Sequence, residues 1–315
     1  MTRIFGAIVA VTVREFKRFL RQHGRLISTF ARPLLWLAVV GAGFQRIVPT
    51  AGTVSYLQFL LPGIFGMVIL FSTMLSALAT VHDREFGPIR MLLVAPLDRW
   101  VTVVAKTISS TLIGVFQCLV LLPLIWILGL RPSATDLVKL VGAIILLSLA
   151  LSALGMLIAS RLRSVENFAG VMNFLLFPMF FLSSALYPAE MLPGYLQPFV
   201  RADPLTYGID LMRYALLSGL YVGNFGSNYK APFDIAVLVV VTVVLFSLAA
   251  LLFGEEDHLG RILLTDSPRK AKRSATSWRK PAPAGANGAG PQPDKVAADD
   301  AAVGVEAASL SGQRR

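Results

Sequence analysis

Few residues in this chain are suited to chemistry, and they are scattered. Cys118 is the single cysteine and sits in an apolar run. One Cys makes no intrachain disulfide and no cysteine metal site. His23, His82 and His258 are far apart and lack metal-ligand spacing. There is no G-x-x-x-x-G-K-S/T phosphate loop, no G-x-S-x-G elbow and no H-E-x-x-H pair. No catalytic residue and no resident metal are therefore expected. What remains is a charged segment, Asp83-Arg84-Glu85-Phe86-Gly87, followed by Arg90 and an apolar run closed by Pro96. A plain connecting loop would be short and polar. This one reads as a short helix offering charge and a hydrophobic face to a cytosolic partner, where charge pairs fix register. An interfacial helix with solvated charges fits the same composition.

The elements that position this segment follow from composition. Of 315 residues, 55% are hydrophobic and 15% charged, and mean hydropathy is +0.68. An average soluble domain carries about 25% charged residues. So little polar surface cannot cover a globule of this size, which argues against soluble enzyme folds. The expected fold class is all-α, a polytopic membrane protein. Crossing a bilayer takes about 20 mainly apolar residues, and six segments qualify: 26–44, 57–80, 101–130, 137–160, 167–187 and 233–253. Arg32 and Pro33 fall in the first, where Arg32 can snorkel and Pro33 lies near the helix start. Pro178 should kink the fifth. Glu166 and Lys106 are expected to reach the inner interface and Asp234 the outer one. No intramembrane polar cluster is then left for a membrane enzyme or a proton-coupled transporter. A channel should show charge rings or a carbonyl filter, and neither is visible. Such a chain borrows its energy or needs none.

A net charge of +11 raises nucleic acid as a partner, but basic residues beside apolar spans orient membrane proteins, so none is expected. With the N-terminus inside, the inner segments up to Lys280 hold 18 Lys and Arg against 5 outside. Both termini are placed in the cytoplasm. No cleavable signal peptide is expected, because the basic cluster follows the first apolar stretch. Residues 1–25 read as an amphipathic helix on the inner leaflet. Phe5, Ile8, Val9, Phe16, Phe19 and Leu20 share one face, and Arg14, Lys17, Arg18 and Arg21 the other. Packing on other protein is the competing reading for that face. Residues 26–260 form the six-span domain. Residues 261–315 form a basic, then Ala/Gly/Pro-rich tail expected to be disordered. Loop 188–232 is too apolar for disorder and should fold as short outer helices, some dipping into the membrane, with one over Leu205–Leu220.

At these loops the chain resembles permease subunits of type-2 ATP-binding-cassette transporters, a bacterial exporter family. The signature reads Leu176, Met179, Leu182, Ser183 and Ala185, then Leu192-Pro193, Pro204-Leu205, Tyr207 and Arg213. Segment Asp83–Leu97 is similar to the family's inner loop, and Tyr56 with Leu61-Pro62-Gly63 fits as well. The similarity covers about residues 1–260. More loosely, the chain resembles permeases linked with alcohol oxidation by quinoprotein dehydrogenases.

The resemblance implies that the protein resides in the bacterial inner membrane and pairs with a second copy or a related permease. Two copies of a separate ATPase, carrying ATP and Mg, would dock below, with no cofactor on this chain. Helix 1–25 would be the connecting helix. Asp83, Arg84, Glu85, Phe86, Gly87 and Arg90 would form the coupling helix. Arg161, Arg163 and Glu166 would make a second contact with the ATPase. The helices after span five would be the outer gate. Phe174, Phe177, Phe180 and Phe181 would line a path through spans one, two and five, or else face lipid and neighbouring helices. The expected cargo is hydrophobic or amphipathic, drug-like or lipid-like, and moves outward. A polysaccharide or lipid-linked glycan is the alternative cargo. A scaffold or channel without ATP coupling is the alternative of another class.

Overall fold

The computed structural model describes residues 2–44, 55–86, 99–188, 191–217 and 231–253. Among them every regular element is helical. In chain order these are α1 (Thr2–Arg21), α2 (His23–Phe44), α3 (Tyr56–Glu85), α4 (Arg99–Leu121), α5 (Pro123–Ile127), α6 (Ala134–Arg161), α7 (Val165–Leu182), α8 (Gln197–Ala202), α9 (Pro204–Leu217) and α10 (Ala231–Phe253). A 3-10 turn, Gly194–Leu196, leads into α8. The expected disordered tail, Gly87 and Arg90 lie outside the described residues.

Among the described residues, five helices are long and apolar enough to cross a membrane: α3, α4 with α5, α6, α7 and α10. The sixth expected span falls on α2, whose apolar part, Thr29–Gly43, is shorter than the about 20 residues a crossing takes. Pro33 is not near the start of α2. The polar lead-in from His23 is itself helical, which leaves Pro33 well inside the helix. The long third segment is not continuous either. It breaks at Leu122, and α5 restarts with Pro123 in its first turn, where a missing N–H is tolerated.

α3 is the axis of the fold. Every residue from Phe59 to Leu70 is buried, around the whole circumference, as expected of a helix enclosed by others. α2, α4, α6, α7 and α9 all pack on it. Its first turn is closed by a capping box, in which Ser55 accepts the Gln58 N–H while the Gln58 side chain accepts the Ser55 N–H. Ser133 and Asp136 cap α6 in the same way.

α9 packs against α6 and α3 and is buried over nearly all its length. It covers almost all of the helix expected at Leu205–Leu220. A Cβ on Gly66 would stand 2.9 Å from Ile209, and the Arg213 guanidinium lies 4.1 Å over the Phe59 ring. Those contacts are about 10 Å apart along α3. α9 therefore runs antiparallel to α3, from beside Gly66 toward its Tyr56 end.

Candidate functional site

Asp83, Arg84 and Glu85 do not lie in a free loop but on the last turn of α3. Asp83 is buried on the last turn of α3, 2% exposed. Its Oδ2 accepts from Lys106 Nζ at 2.8 Å, and its Oδ1 accepts from Arg18 Nη1 at 2.9 Å. Lys106, on α4, also donates to Glu15 Oε1 at 2.9 Å, and Arg14 donates to the same oxygen at 2.8 Å. Three helices, α1, α3 and α4, thus meet on one buried lysine. Lys106 is not left exposed: two carboxylates hold it buried. Burial pushes the Glu15 carboxyl up, but the charges and hydrogen bonds of Lys106 and Arg14 outweigh this and hold it below the ordinary value of 4.5.

This node also reorients α1. The buried stripe is Val11, Glu15 and Phe19, while Phe5, Val9 and Leu20 of the expected apolar face are exposed. Glu15 turns inward because Lys106 is there to pair with it. Phe16 and Phe19 pack edge-on against Phe116 of α4, with ring centroids 5.3 and 6.4 Å away. α1 therefore packs on protein along one side and leaves an apolar row uncovered on another.

Arg84 and Glu85 point to the turn between α6 and α7. Arg84 Nη1 donates to the Ala159 carbonyl at 2.9 Å, near the C-terminus of α6. Its guanidinium also lies 3.7 Å over the Phe253 ring of α10. Glu85 Oε2 accepts the backbone N–H of Val165 at 2.6 Å, at the N-terminus of α7. Each charge meets the helix end whose dipole favours it. The described part of the first segment expected to face the cytosol, Asp83–Phe86, is in this way fastened to the second, 161–166. Phe86, Arg161, Arg163 and Glu166 remain exposed around the junction.

At the other end of α3 the signature residues assemble. Tyr56 Oη donates to the Leu186 carbonyl at 2.9 Å. Arg213, 2% exposed, donates to the Ser184 carbonyl and, at 3.4 Å, to its hydroxyl. Ser184 has φ of 56°, a left-handed conformation unusual outside glycine, and it turns the chain sharply after α7. Ser183 Oγ donates to the Phe180 carbonyl at 2.8 Å. Thr206 Oγ1 and Tyr207 Oη donate to the carbonyls of Val200 and Arg201 at 3.0 and 2.7 Å, tying α9 to α8. Leu176, Met179, Ala185 and Leu205 are buried, Leu182, Leu192 and Pro204 half-buried, and Pro193 exposed.

The four phenylalanines separate. Phe174, Phe177 and Phe181 are exposed along one edge of α7, whereas Phe180 is buried, 5.8 Å from the Trp36 ring of α2. Sequence reasoning missed Glu15, placed Lys106 at the interface, and overlooked Asp210, which adjoins Asp234. Both aspartates are fully buried by protein, so buried ionisable clusters do exist in the chain. Glu15 had one available signal: it stands four residues from both Val11 and Phe19, on a helical stripe.

Residues 6–217, which include both assemblies, match the family described as ABC-2 type transporter. The chain is 31% identical over 205 residues to a putative transport permease, ycf38, of Cyanophora paradoxa, covering 64% of this chain and 71% of that one. It is 24% identical over 218 residues to the polysialic acid transport protein KpsM of Escherichia coli, covering 68% and 81%. It is 27% identical over 166 residues to a probable multidrug ABC transporter permease, YbhR, of E. coli K12, covering 52% and 45%. With its all-helical described residues and five apolar helices of spanning length, the chain belongs to the ABC-2 type transporter family, as a membrane permease whose ATPase is a separate chain.

Proposed function

We propose that this chain is the membrane half of an ATP-driven exporter that moves a hydrophobic or amphipathic molecule outward across the bacterial inner membrane. Six spans, with α2 as the first, leave both termini in the cytoplasm. Two permeases pair, and two ATPase subunits dock beneath them. The observation that carries this reading is the grip of Arg84 and Glu85 on the α6–α7 turn. A push on either cytosolic segment then moves α3, α6 and α7 together, and packed helices switch between discrete arrangements rather than bending. ATP shifts the balance between two states only by binding one of them better. Asp83 and Arg84 serve inside this unit, while Phe86, Arg161, Arg163 and Glu166 present its surface to the ATPase.

A second cargo, a polysaccharide or lipid-linked glycan, is favoured by the likeness to KpsM and by the exposed row Phe174, Phe177 and Phe181. Aromatic faces suit sugar rings as well as lipid.

The test is mild-detergent purification of the tagged full chain from its native membrane, with mass spectrometry of what accompanies it and an ATP hydrolysis assay. A copurifying ATPase, weakened by Phe86→Ala with Arg161→Glu, is the expected result. Wild type that brings down no ATPase under several gentle conditions overturns the docking claim.

A further inference from the structure

α9 and α10 meet at two successive contacts. The Tyr207 and Phe233 rings are 6.2 Å apart. One turn further along α9, the carboxyl of Asp210 adjoins that of Asp234, the fourth residue of α10. Both aspartates are fully buried. Neither oxygen of Asp234 receives an N–H or O–H from the described residues.

The charged groups around this pair are engaged elsewhere or stand apart from it. α10 carries no other ionisable side chain among the described residues. On α9, Asp203 lies two turns earlier and accepts the Leu205 N–H. Tyr207 Oη donates to the Arg201 carbonyl, and Arg213 donates to Ser184. On α3, Tyr56 donates to the Leu186 carbonyl. On α6, Lys139 pairs with Asp136. α8 and α7 carry Arg201 and Glu166, both exposed.

Two carboxylates in contact away from water repel, and such a pair does not ionise twice. One proton turns the repulsion into an O–H···O hydrogen bond between the two groups. It also gives the orphaned carboxyl of Asp234 the partner that a buried polar group requires. Sharing one proton leaves one negative charge, a helical turn away from the buried cation Arg213.

We propose that Asp210 and Asp234 form a proton-binding site, holding one proton between two carboxyls and so fastening α9 to α10. When the two helices part, water reaches the site, the O–H bond breaks, both carboxyls ionise and the proton passes to water. Separation of α9 from α10 is thereby tied to the release of one proton. The claim involves neither nucleotide nor ATPase, so its test stands apart from the exporter reading.

The experiment uses the full chain in lipid nanodiscs at neutral pH. Infrared absorption of un-ionised carboxyls, calibrated per chain, is compared between wild type and the double variant Asp210→Asn with Asp234→Asn. The difference should equal one carboxyl. No difference means that both groups are ionised, and a difference of two means that both are neutral; either overturns the proposal. A second measurement needs no variant: hydrogen exchange of the α9 amides, corrected for the intrinsic pH dependence of exchange. In wild type the corrected rate should rise about tenfold per pH unit near neutrality, because each opening releases one proton. A corrected rate that does not change with pH, or a slope that survives in the double variant, overturns the link between the proton and the packing of α9 on α10.

Discussion

Glu85 and Val165 are 80 residues apart in sequence, yet Glu85 Oε2 accepts the Val165 N–H at 2.6 Å. The last residue of one long helix caps the first residue of another. Ser164, the local capping position, makes no side-chain cap of its own, so the cap of α7 is supplied from α3. Losing a helix cap typically costs about 1 kcal/mol. Glu85→Ala should therefore destabilise the protein by about 1 kcal/mol, whereas Glu85→Gln, which keeps an acceptor, should cost less than half of that. Unfolding in graded SDS, followed by far-UV circular dichroism, measures both. Equal losses in the two variants would show that the charge, not the cap, is what Glu85 contributes.

Lys106 holds two carboxylates inside the protein. Removing one partner from a buried ion pair typically costs about 3–5 kcal/mol, because the remaining charge stays buried and uncompensated. Lys106→Met should fall in that range by the same unfolding assay. Adding Glu15→Gln should recover part of the loss. A single variant within about 1 kcal/mol of wild type would mean that Arg14 and Arg18 suffice to neutralise the node.

The depressed native pKa of Glu15 sets the direction of an acid effect. Burial raises it, but Lys106 and Arg14 lower it further, so the folded value is below the unfolded one. The stabilisation is then fully present above the ordinary value of 4.5 and is lost as pH falls through the depressed native value. Melting temperature should drop on acidification through this window in wild type. The drop should be smaller in Glu15→Gln, and parallel curves for the two proteins would remove Glu15 from the account.

Glycine 63 lets the chain after α7 lie directly on α3. A Cβ there would collide with the Ala185 carbonyl, which is backbone and cannot swing aside. Gly63→Ala should cost about 1–3 kcal/mol, as overpacking does. Gly142, on α6, has no neighbour within 4 Å of an added Cβ. Gly142→Ala should be neutral or stabilising, because Ala is the better helix former by about 1 kcal/mol. Thermal unfolding of the two variants side by side reads the contrast.

What the sequence conveyed depended on how many residues carried each signal. Hydropathy over some 20 residues located the long helices, because burial in lipid is a collective property of a segment. The helix expected over Leu205–Leu220 is observed as Pro204–Leu217, and the apolar residues that marked it, Ile209, Leu211, Met212, Leu216 and Leu217, are all buried. Single charges were a different matter. Glu15, Asp83 and Lys106 each look solvated when read alone, and their burial depends on three helices meeting at one point. Arg84 and Glu85 stood out as a charged pair, but nothing local says that their partners are backbone groups at the α6–α7 turn. Segment hydropathy is a local quantity, whereas the pairing of buried charges is set by tertiary contacts.

The node around Lys106 also constrains the order of assembly. α1 leaves the ribosome before α3 and α4. Its partners lag far behind, with Asp83 65 residues after Arg18 and Lys106 91 residues after Glu15. Until the nascent chain has released Lys106, Glu15 lacks that charge partner, and the apolar row Phe5, Val9 and Leu20 is the side of α1 ready to adhere to the bilayer. α1 is therefore synthesised before the helices that lock it, and its docking waits until α4 is in place.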